Sequence, residues 1–244
     1  MSDVIEGRNA VLEALRSGVR LQRLLVAAGL KPHPAIDEVV RRAREAGVTV
    51  EEVPRDSLAR HSPRGAHQGI VAFAEPFGYA ELDDVLRATA GRPRALVVVL
   101  DHVTDPGNLG AVIRSVEVAG GDAVIIPRDR AADVGPVVHK ASAGATAHVP
   151  IVRVTNIAQA LVSLKDADFW VAGADERADD DLWSAPLDGR LALVLGSEGA
   201  GMARLTRERC DFLVSIPVSG HVSSLNVAQA ATVLAFEWVR RGLW

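Results

Sequence analysis

The sequence predicts an α/β protein in two parts, a small α/β domain followed by a larger one built on a mostly parallel sheet. Three observations carry this. Apolar runs of strand length alternate with amphipathic segments of helix length along the whole chain. One run, Ala95-Leu96-Val97-Val98-Val99-Leu100, is apolar at six consecutive positions, the pattern of a strand covered on both faces. Between the two parts, Pro76-Phe77-Gly78 breaks the periodicity. The expected organisation is a first domain over 1–76, a linker over 77–91 and a second domain over 92–244.

Each element has a local reason. Residues 8–17 place Ala10, Val11, Ala14 and Leu15 on one helical face, and Gly18 stops the helix. A strand over 21–27 follows, then the turn Lys31-Pro32-His33-Pro34 and a helix over 35–46 closed by Gly47. The alternating strand Val48-Thr49-Val50 and a strand over 69–73 complete the first domain. Residues 82–91 read as a polar, helical connector. Beyond the run at 95–100, strands are expected at 123–126, 169–173, 191–195 and 212–216, with helices over 109–119, 156–165 and 226–241. Strands and helices in alternation give a parallel sheet with helices on both faces.

Composition narrows the function. With 48% apolar and 24% charged residues in 244, the chain has an ordinary globular balance rather than that of a disordered one. A net charge of −4 argues against a protein that simply coats nucleic acid, since nonspecific affinity comes from many cationic phosphate contacts. The charge is uneven: residues 1–79 hold eleven basic against ten acidic side chains, the remainder sixteen against twenty-one. Arginine supplies 24 of the 27 basic residues, which suits planar stacking and bidentate phosphate contact, although genomic base bias gives the same excess. Cys210 is the single cysteine, so no intramolecular disulfide forms and a reducing compartment is expected. No signal-peptide pattern opens the chain and no run approaches the roughly 18 apolar residues of a membrane span, so the expected location is the cytoplasm, without a membrane. Seven histidines show no ligand spacing, and neither His-Glu-x-x-His nor Cys-x-x-Cys occurs, so no metal is expected.

Ligands of open α/β sheets bind beyond the carboxyl ends of the strands, which directs attention to three loops. The first, Asp105-Pro106-Gly107-Asn108-Leu109-Gly110-Ala111-Val112-Ile113-Arg114, contains neither a Gly-x-Gly-x-x-Gly fingerprint nor a Walker sequence, which disfavours a nicotinamide-dependent dehydrogenase. Asn108 is placed to cap the helix that follows, and Arg114 either pairs with Glu117 at i,i+3 or serves a ligand. The second, Leu195-Gly196-Ser197-Glu198-Gly199-Ala200-Gly201, has three glycines that permit close backbone approach, and a carboxylate that is either a ligand group or a pin for the loop. The third, residues 217–226, offers hydroxyls and amides that cap the last helix or face a ligand.

In this order and spacing, Asn-Leu-Gly-Ala-Val-Ile-Arg at 108–114, Leu-Val-Leu-Gly-Ser-Glu-Gly-Ala-Gly at 193–201 and Ile-Pro-Val-Ser-Gly-His-Val-Ser-Ser-Leu-Asn-Val-Ala at 216–228 resemble the motifs of the SpoU (TrmH-like) branch of the SPOUT RNA 2′-O-ribose methyltransferases. Val-Ile-Glu-Gly-Arg-Asn-Ala-Val-Leu-Glu-Ala-Leu at 4–15 and His-Gln-Gly-Ile-Val-Ala at 67–72 extend the resemblance to the first domain, in the manner of the bacterial 23S rRNA guanosine-2′-O-methyltransferases. The resemblance implies a small ribosomal-protein-like RNA-binding domain ahead of a SPOUT domain with a deep trefoil knot. It implies S-adenosylmethionine as cofactor, held around Gly196, Gly201, Ile216, Leu225 and Asn226. The family's polar active-site set falls on Asn108, Arg114, Glu198, Ser224 and Asn226. Arg114 is either the general base or an electrostatic clamp, the second being chemically easier because arginine keeps its proton at neutral pH. The resemblance further implies a homodimer; the apolar final helix, with Ala230, Ala231, Val233, Leu234 and Trp238, offers either a surface for it or simply part of the core. RNA contacts are expected at Arg8, Asn9, Arg64, His67 and Gln68. The implied substrate is 23S rRNA; tRNA and antibiotic-resistance rRNA methyltransferases share the catalytic motifs, and a noncatalytic RNA-binding module is disfavoured because the polar set is intact. Ala228-Gln229 stands where the family often has Ser-Val.

Overall fold

The computed structural model describes residues 3–62, 65–222 and 224–243. It contains two compact units, Met1–Gly78 with Val134–Lys140, and Tyr79–Asp133 with Ala141–Trp244.

The first unit runs β1 (Asp3–Glu6), α1 (Arg8–Arg16), β2 (Leu21–Ala27), α2 (Pro34–Glu45), β3 (Thr49–Val53), α3 (Arg55–Arg60) and β4 (Ile70–Ala74). Its sheet has the order β1-β4-β2-β3, with β4 antiparallel to both neighbours and β2 parallel to β3. β4 is buried along its whole length, and its alternation feeds two cores. Ile70, Ala72 and Ala74 pack with Val11 and Ala14 of α1 and Val39 and Ala43 of α2, while Val71 and Phe73 meet Leu58 of α3 on the other face. α2 starts at His33, whose Nδ1 accepts from the Ala35 N–H at 3.2 Å, with Pro34 in the first turn where no donor is needed. β1 and α3 are additions to the expected elements, four and six residues long and too short to display a period.

The second unit runs α4 (Leu82–Thr89), β5 (Ala95–Asp101), α5 (Pro106–Val118), β6 (Ala123–Pro127), α6 (Pro136–Ala141), β7 (Ile151–Val154), α7 (Ile157–Asp166), β8 (Trp170–Ala174), β9 (Arg190–Gly196), α8 (Arg204–Arg209), β10 (Phe212–Val214) and α9 (Val227–Arg241), α6 lying mostly within the segment grouped with the first unit. Its six strands are ordered β10-β8-β9-β5-β6-β7 and every pairing is parallel, as the buried apolar runs require. Ala95, Val97 and Val99 of β5 join Leu161 and Leu164 of α7, Phe169 and Val85 in one core. Residues 82–89, expected within a linker, therefore belong to this core: Leu82, Val85, Leu86 and Thr89 form an i, i+3, i+4, i+7 stripe. Alternation sends Leu96, Val98 and Leu100 to the opposite face. α5 and α9 pack side by side, Ser115 Oγ lying 2.7 Å from Thr232 Oγ1.

On α9 the core reading holds for three of the five residues. Ala231, Leu234 and Trp238, candidates for a subunit interface or for the core, are buried inside the unit. The Trp238 indole N–H donates to the Gly189 carbonyl at 2.9 Å, and the Arg94 guanidinium lies 4.2 Å from the centre of its ring. The inward stripe of the helix claims these residues, leaving Val233 and Phe236 as its exposed apolar side chains.

Glu237, on the same helix, is only 4% exposed and receives Arg240 Nη2 and Arg241 Nε, each at 2.7 Å. Arg241 also donates to the carbonyls of Leu182 and Trp183, tying the 181–184 turn to the helix end. Hydrogen bonds from Arg240, then Arg241, hold the Glu237 carboxyl below the usual carboxylate range against the opposing effect of burial. Because the folded value lies below the unfolded one, this stabilisation is complete above the unfolded pKa of about 4.3 and is lost as pH falls through the folded value. Glu237→Gln is expected to lower stability by about 1–3 kcal/mol at pH 7 and by progressively less in acid. Thermal unfolding of both proteins from pH 7 to pH 3 measures this; a difference that stays constant over that range contradicts it.

Candidate functional site

The loops after β5, β9 and β10 meet at the carboxyl end of the sheet. α5 is capped by Asp105, whose Oδ1 accepts the Asn108 N–H at 2.7 Å, with Pro106 at the start of the helix. Asn108 is thus not the cap: proline fixes the helix start two residues earlier and leaves the amide side chain free. That side chain donates to Glu198 Oε1 at 3.0 Å. Asn226 Nδ2 donates to the same carboxylate oxygen at 2.6 Å and to Asn108 Oδ1 at 3.0 Å. Its own Oδ1 accepts the Ala228 N–H at 2.9 Å and caps α9. Glu198 is therefore held by two amide donors beside the positive ends of two helices, of 13 and 15 residues. A carboxylate so engaged acts as an organising centre for the two amides.

The glycine loop closes on itself. The Ser197 N–H donates to the Gly201 carbonyl at 3.1 Å and the Gly201 N–H returns to Ser197 at 2.9 Å. Gly199 and Gly201 take φ of +83° and +68°, conformations that L side chains rarely adopt. At Gly196 a Cβ would lie 2.1 Å from the carbonyl carbon of Gly201. Asp101, in register with Gly196 and fully buried, pins this loop from the neighbouring strand. Its Oδ2 accepts the Ala203 N–H at 2.7 Å, and its Oδ1 lies 2.5 Å from Nδ1 of His102, which holds a φ of +63°. Sequence reading missed Asp101; an acid ending a run of apolar strand residues is the available signal.

Beside the glycine loop lies a cavity of about 540 Å³. Leu195, Ile216, Leu225 and Val227 give it an apolar wall, and Gly196, Gly201 and Ser224, all expected there, line it too. Asp175 and Arg207, 3.3 Å apart as an ion pair, add a charged wall that sequence reading did not assign. Arg114 is exposed on α5 and forms no ion pair with Glu117 or any other described residue. The proposed surface pair is absent, consistent with the small worth of such pairs in water.

In the first unit, Arg8 Nε donates to Gln68 Oε1 at 3.5 Å, with Gln68 at a φ of +48°. His67 Nδ1 accepts the Gly69 N–H at 3.0 Å, so the neutral ring carries its proton on Nε2. Asn9 is exposed beside Arg8, and Arg64 lies outside the described residues. Among the described residues no group of histidine, cysteine and acid side chains could hold a metal ion, and no helix is long and apolar enough to cross a membrane.

Cys210 sits beneath the site, where a Cβ on Gly173 would meet its Sγ and the Met202 side chain at 2.8 Å. Burial pushes its thiol up to about 12, so almost no thiolate exists near neutrality. Iodoacetamide at pH 8 is expected to leave the native protein unlabelled within an hour and to label it in denaturant. Rapid native labelling, read by intact mass, contradicts that environment.

Residues 95–236 match the SpoU rRNA Methylase family, and residues 4–80 match the RNA 2′-O ribose methyltransferase substrate binding family. A tRNA/rRNA methyltransferase of Mycobacterium avium (strain 104), itself uncharacterized, is 43% identical over 240 residues, 98% of this chain and 78% of that protein. The SpoU methyltransferase AviRb of Streptomyces viridochromogenes, solved with AdoMet, superposes with a TM-score of 0.68 at 30% identity, over 98% of this chain and 90% of that one. An AdoMet-bound rRNA methyltransferase of Sinorhizobium meliloti superposes with a TM-score of 0.67 at 26% identity, over 100% and 88%. The chain belongs to the SpoU family and is an S-adenosylmethionine-dependent RNA 2′-O-ribose methyltransferase.

Proposed function

We propose that this enzyme methylates a ribose 2′-hydroxyl of 23S rRNA, acting as a homodimer, with its chemistry at the Asn108–Glu198–Asn226 cluster. The observation that carries the reading is that this cluster joins three loops far apart in sequence at the edge of one cavity. The cavity suits S-adenosylmethionine: an apolar wall for the adenine, a glycine backbone that comes close, and charged groups for a zwitterionic tail. Gly196, Gly201, Ile216 and Leu225 would hold the cofactor, with Asn226 at its edge. The bound cofactor supplies an electrophilic methyl group on a positively charged sulfur. The deep trefoil knot implied by the resemblance is part of this reading.

A ribose 2′-oxygen needs alignment with that methyl group and loss of one proton. Glu198 fixes the two amides, so Asn108 and Asn226 present rigid groups to the ribose. Ser224, exposed at the cavity, offers one more hydroxyl. Arg114, exposed and without a protein partner among the described residues, is free to hold a phosphate and to stabilise the developing alkoxide. Arg8, Asn9, Arg64, His67 and Gln68 serve RNA capture, and Arg8, His67 and Gln68 are already close together in the first unit. Val233 and Phe236 of α9 and Val118 of α5 are exposed apolar residues on the two packed helices that a dimer interface would use.

Ribosomal RNA as the target rests on the match of both units to one rRNA methyltransferase structure over the whole chain. Such a substrate places the enzyme in the cytoplasm. Mapping of 2′-O-methyl sites on total RNA with and without the protein tests it. One protein-dependent site in 23S rRNA is expected; a site confined to tRNA overturns the target while leaving the chemistry intact.

A further inference from the structure

Outside the cluster, one loop at the same edge of the sheet has features the chemistry does not use. Residues 128–133 leave the carboxyl end of β6, the strand beside β5. The Ala132 N–H donates to the Val103 carbonyl at 3.0 Å, which ties this loop to the segment leading into Asp105 and Asn108. Arg128 and Arg130 are both exposed, and neither has a charged or hydrogen-bonded side-chain partner among the described residues. Asp133, at the end of the loop, is engaged elsewhere: Arg153 pairs with it at 2.8 Å and the Tyr79 hydroxyl donates to it at 3.2 Å. Asp129 stands between the two arginines in the sequence and is exposed like them.

Arg130 also carries a backbone φ of +54°, a left-handed conformation in which glycine or asparagine is more at ease. An exposed arginine held in that conformation, on a loop pinned to the active-site segment, is a candidate for a role of its side chain. The charge balance strengthens this. The second unit, residues 79–133 and 141–244, holds fifteen basic against twenty-one acidic side chains, so no general positive field draws a polyanion to it, and local cations must do it.

We infer that Arg128 and Arg130 form a phosphate-binding loop that holds the RNA backbone flanking the target nucleotide. This rests on the RNA methylation reading and adds a second anchoring point to it on the catalytic unit. Arginines on a fixed loop suit phosphate oxygens, to which they donate in pairs. The loop positions the substrate; it takes no part in the bond-making step.

The test uses the full-length protein and an unmodified 23S rRNA transcript, with steady-state kinetics at several salt concentrations. For the double variant Arg128→Ala/Arg130→Ala, KM for RNA is expected to rise about tenfold, with kcat and S-adenosylmethionine affinity within about twofold of the parent. The slope of log KM against log salt should fall by roughly 0.7–0.9 for each phosphate that is no longer neutralised, a change that a purely structural role would not give. Arg128→Lys/Arg130→Lys should keep the parental slope, and Asp129→Asn should lower KM. An unchanged KM and slope in the alanine variant, with an active parent, overturns the inference alone, as does a fall in kcat at constant KM. If the parent methylates no RNA, the functional reading fails and this inference with it.

Discussion

Arg114→Ala is expected to lower kcat for methyl transfer by about 10²–10³-fold, or roughly 2.7–4 kcal/mol of transition-state stabilisation. The size follows from where the residue stands. It and Ser224 are the members of the expected active-site set left without a side-chain partner among the described residues, and it alone of the two is charged, while Asn108, Glu198 and Asn226 satisfy one another. An exposed arginine adds little to stability, so unfolding should shift by no more than about 0.5 kcal/mol, and cofactor affinity should hold because the residue does not line the cavity. Arg114→Lys asks whether positive charge alone is enough. A positive charge that only clamps should restore part of the rate, whereas a requirement for the planar guanidinium leaves lysine as inactive as alanine. Unchanged turnover in Arg114→Ala would return the residue to the surface.

Gly196→Ala should remove cofactor binding. The added Cβ would lie 2.1 Å from the Gly201 carbonyl carbon and 2.2 Å from the Met202 nitrogen. Both are backbone atoms, so no rotamer change relieves the clash. They also belong to the loop that Asp101 pins through Ala203. The loop must then either open or distort, at a cost of about 1–3 kcal/mol, with loss of the cavity wall. Calorimetric titration should show at least a hundredfold loss of S-adenosylmethionine affinity. Gly199→Ala is the control. A Cβ there meets nothing within 4 Å, so the cost is confined to its left-handed φ of +83°, about 1–2 kcal/mol, and binding should persist. Equal affinity in Gly196→Ala and the parent would show that the close approach is unimportant.

Much of this architecture is readable from local pattern. The run at 95–100 announces a strand buried on both faces, and it is the centre of a wholly parallel sheet. β7 and α8 escape notice because four and six residues hold too little periodicity. The glycine loop is visible as a loop, but its hydrogen-bonded closure and the close approach at Gly196 depend on backbone paths that no pattern of types encodes. Asn108, Glu198 and Asn226 are identified by motif, yet the bonds among them span 28, 90 and 118 positions and exist only in the fold. Asp101, Asp175 and Arg207 show the same limit: an acid at a strand end, an acid in an acidic stretch and an arginine on a short helix look like solvated charges until tertiary structure sets them around one cavity. At the start of α5, the proline at position 106 is the signal that Asp105, rather than Asn108, is the cap.

The most direct test of the central claim is the chemical position of the methyl group. The purified protein is incubated with unmodified 23S rRNA and S-adenosylmethionine carrying a labelled methyl, and the RNA is then hydrolysed in alkali. A ribose 2′-O-methyl group blocks cleavage at the next phosphate, so label is expected in an alkali-resistant dinucleotide. Label recovered in a mononucleotide would mean methylation of a base, and would contradict the account.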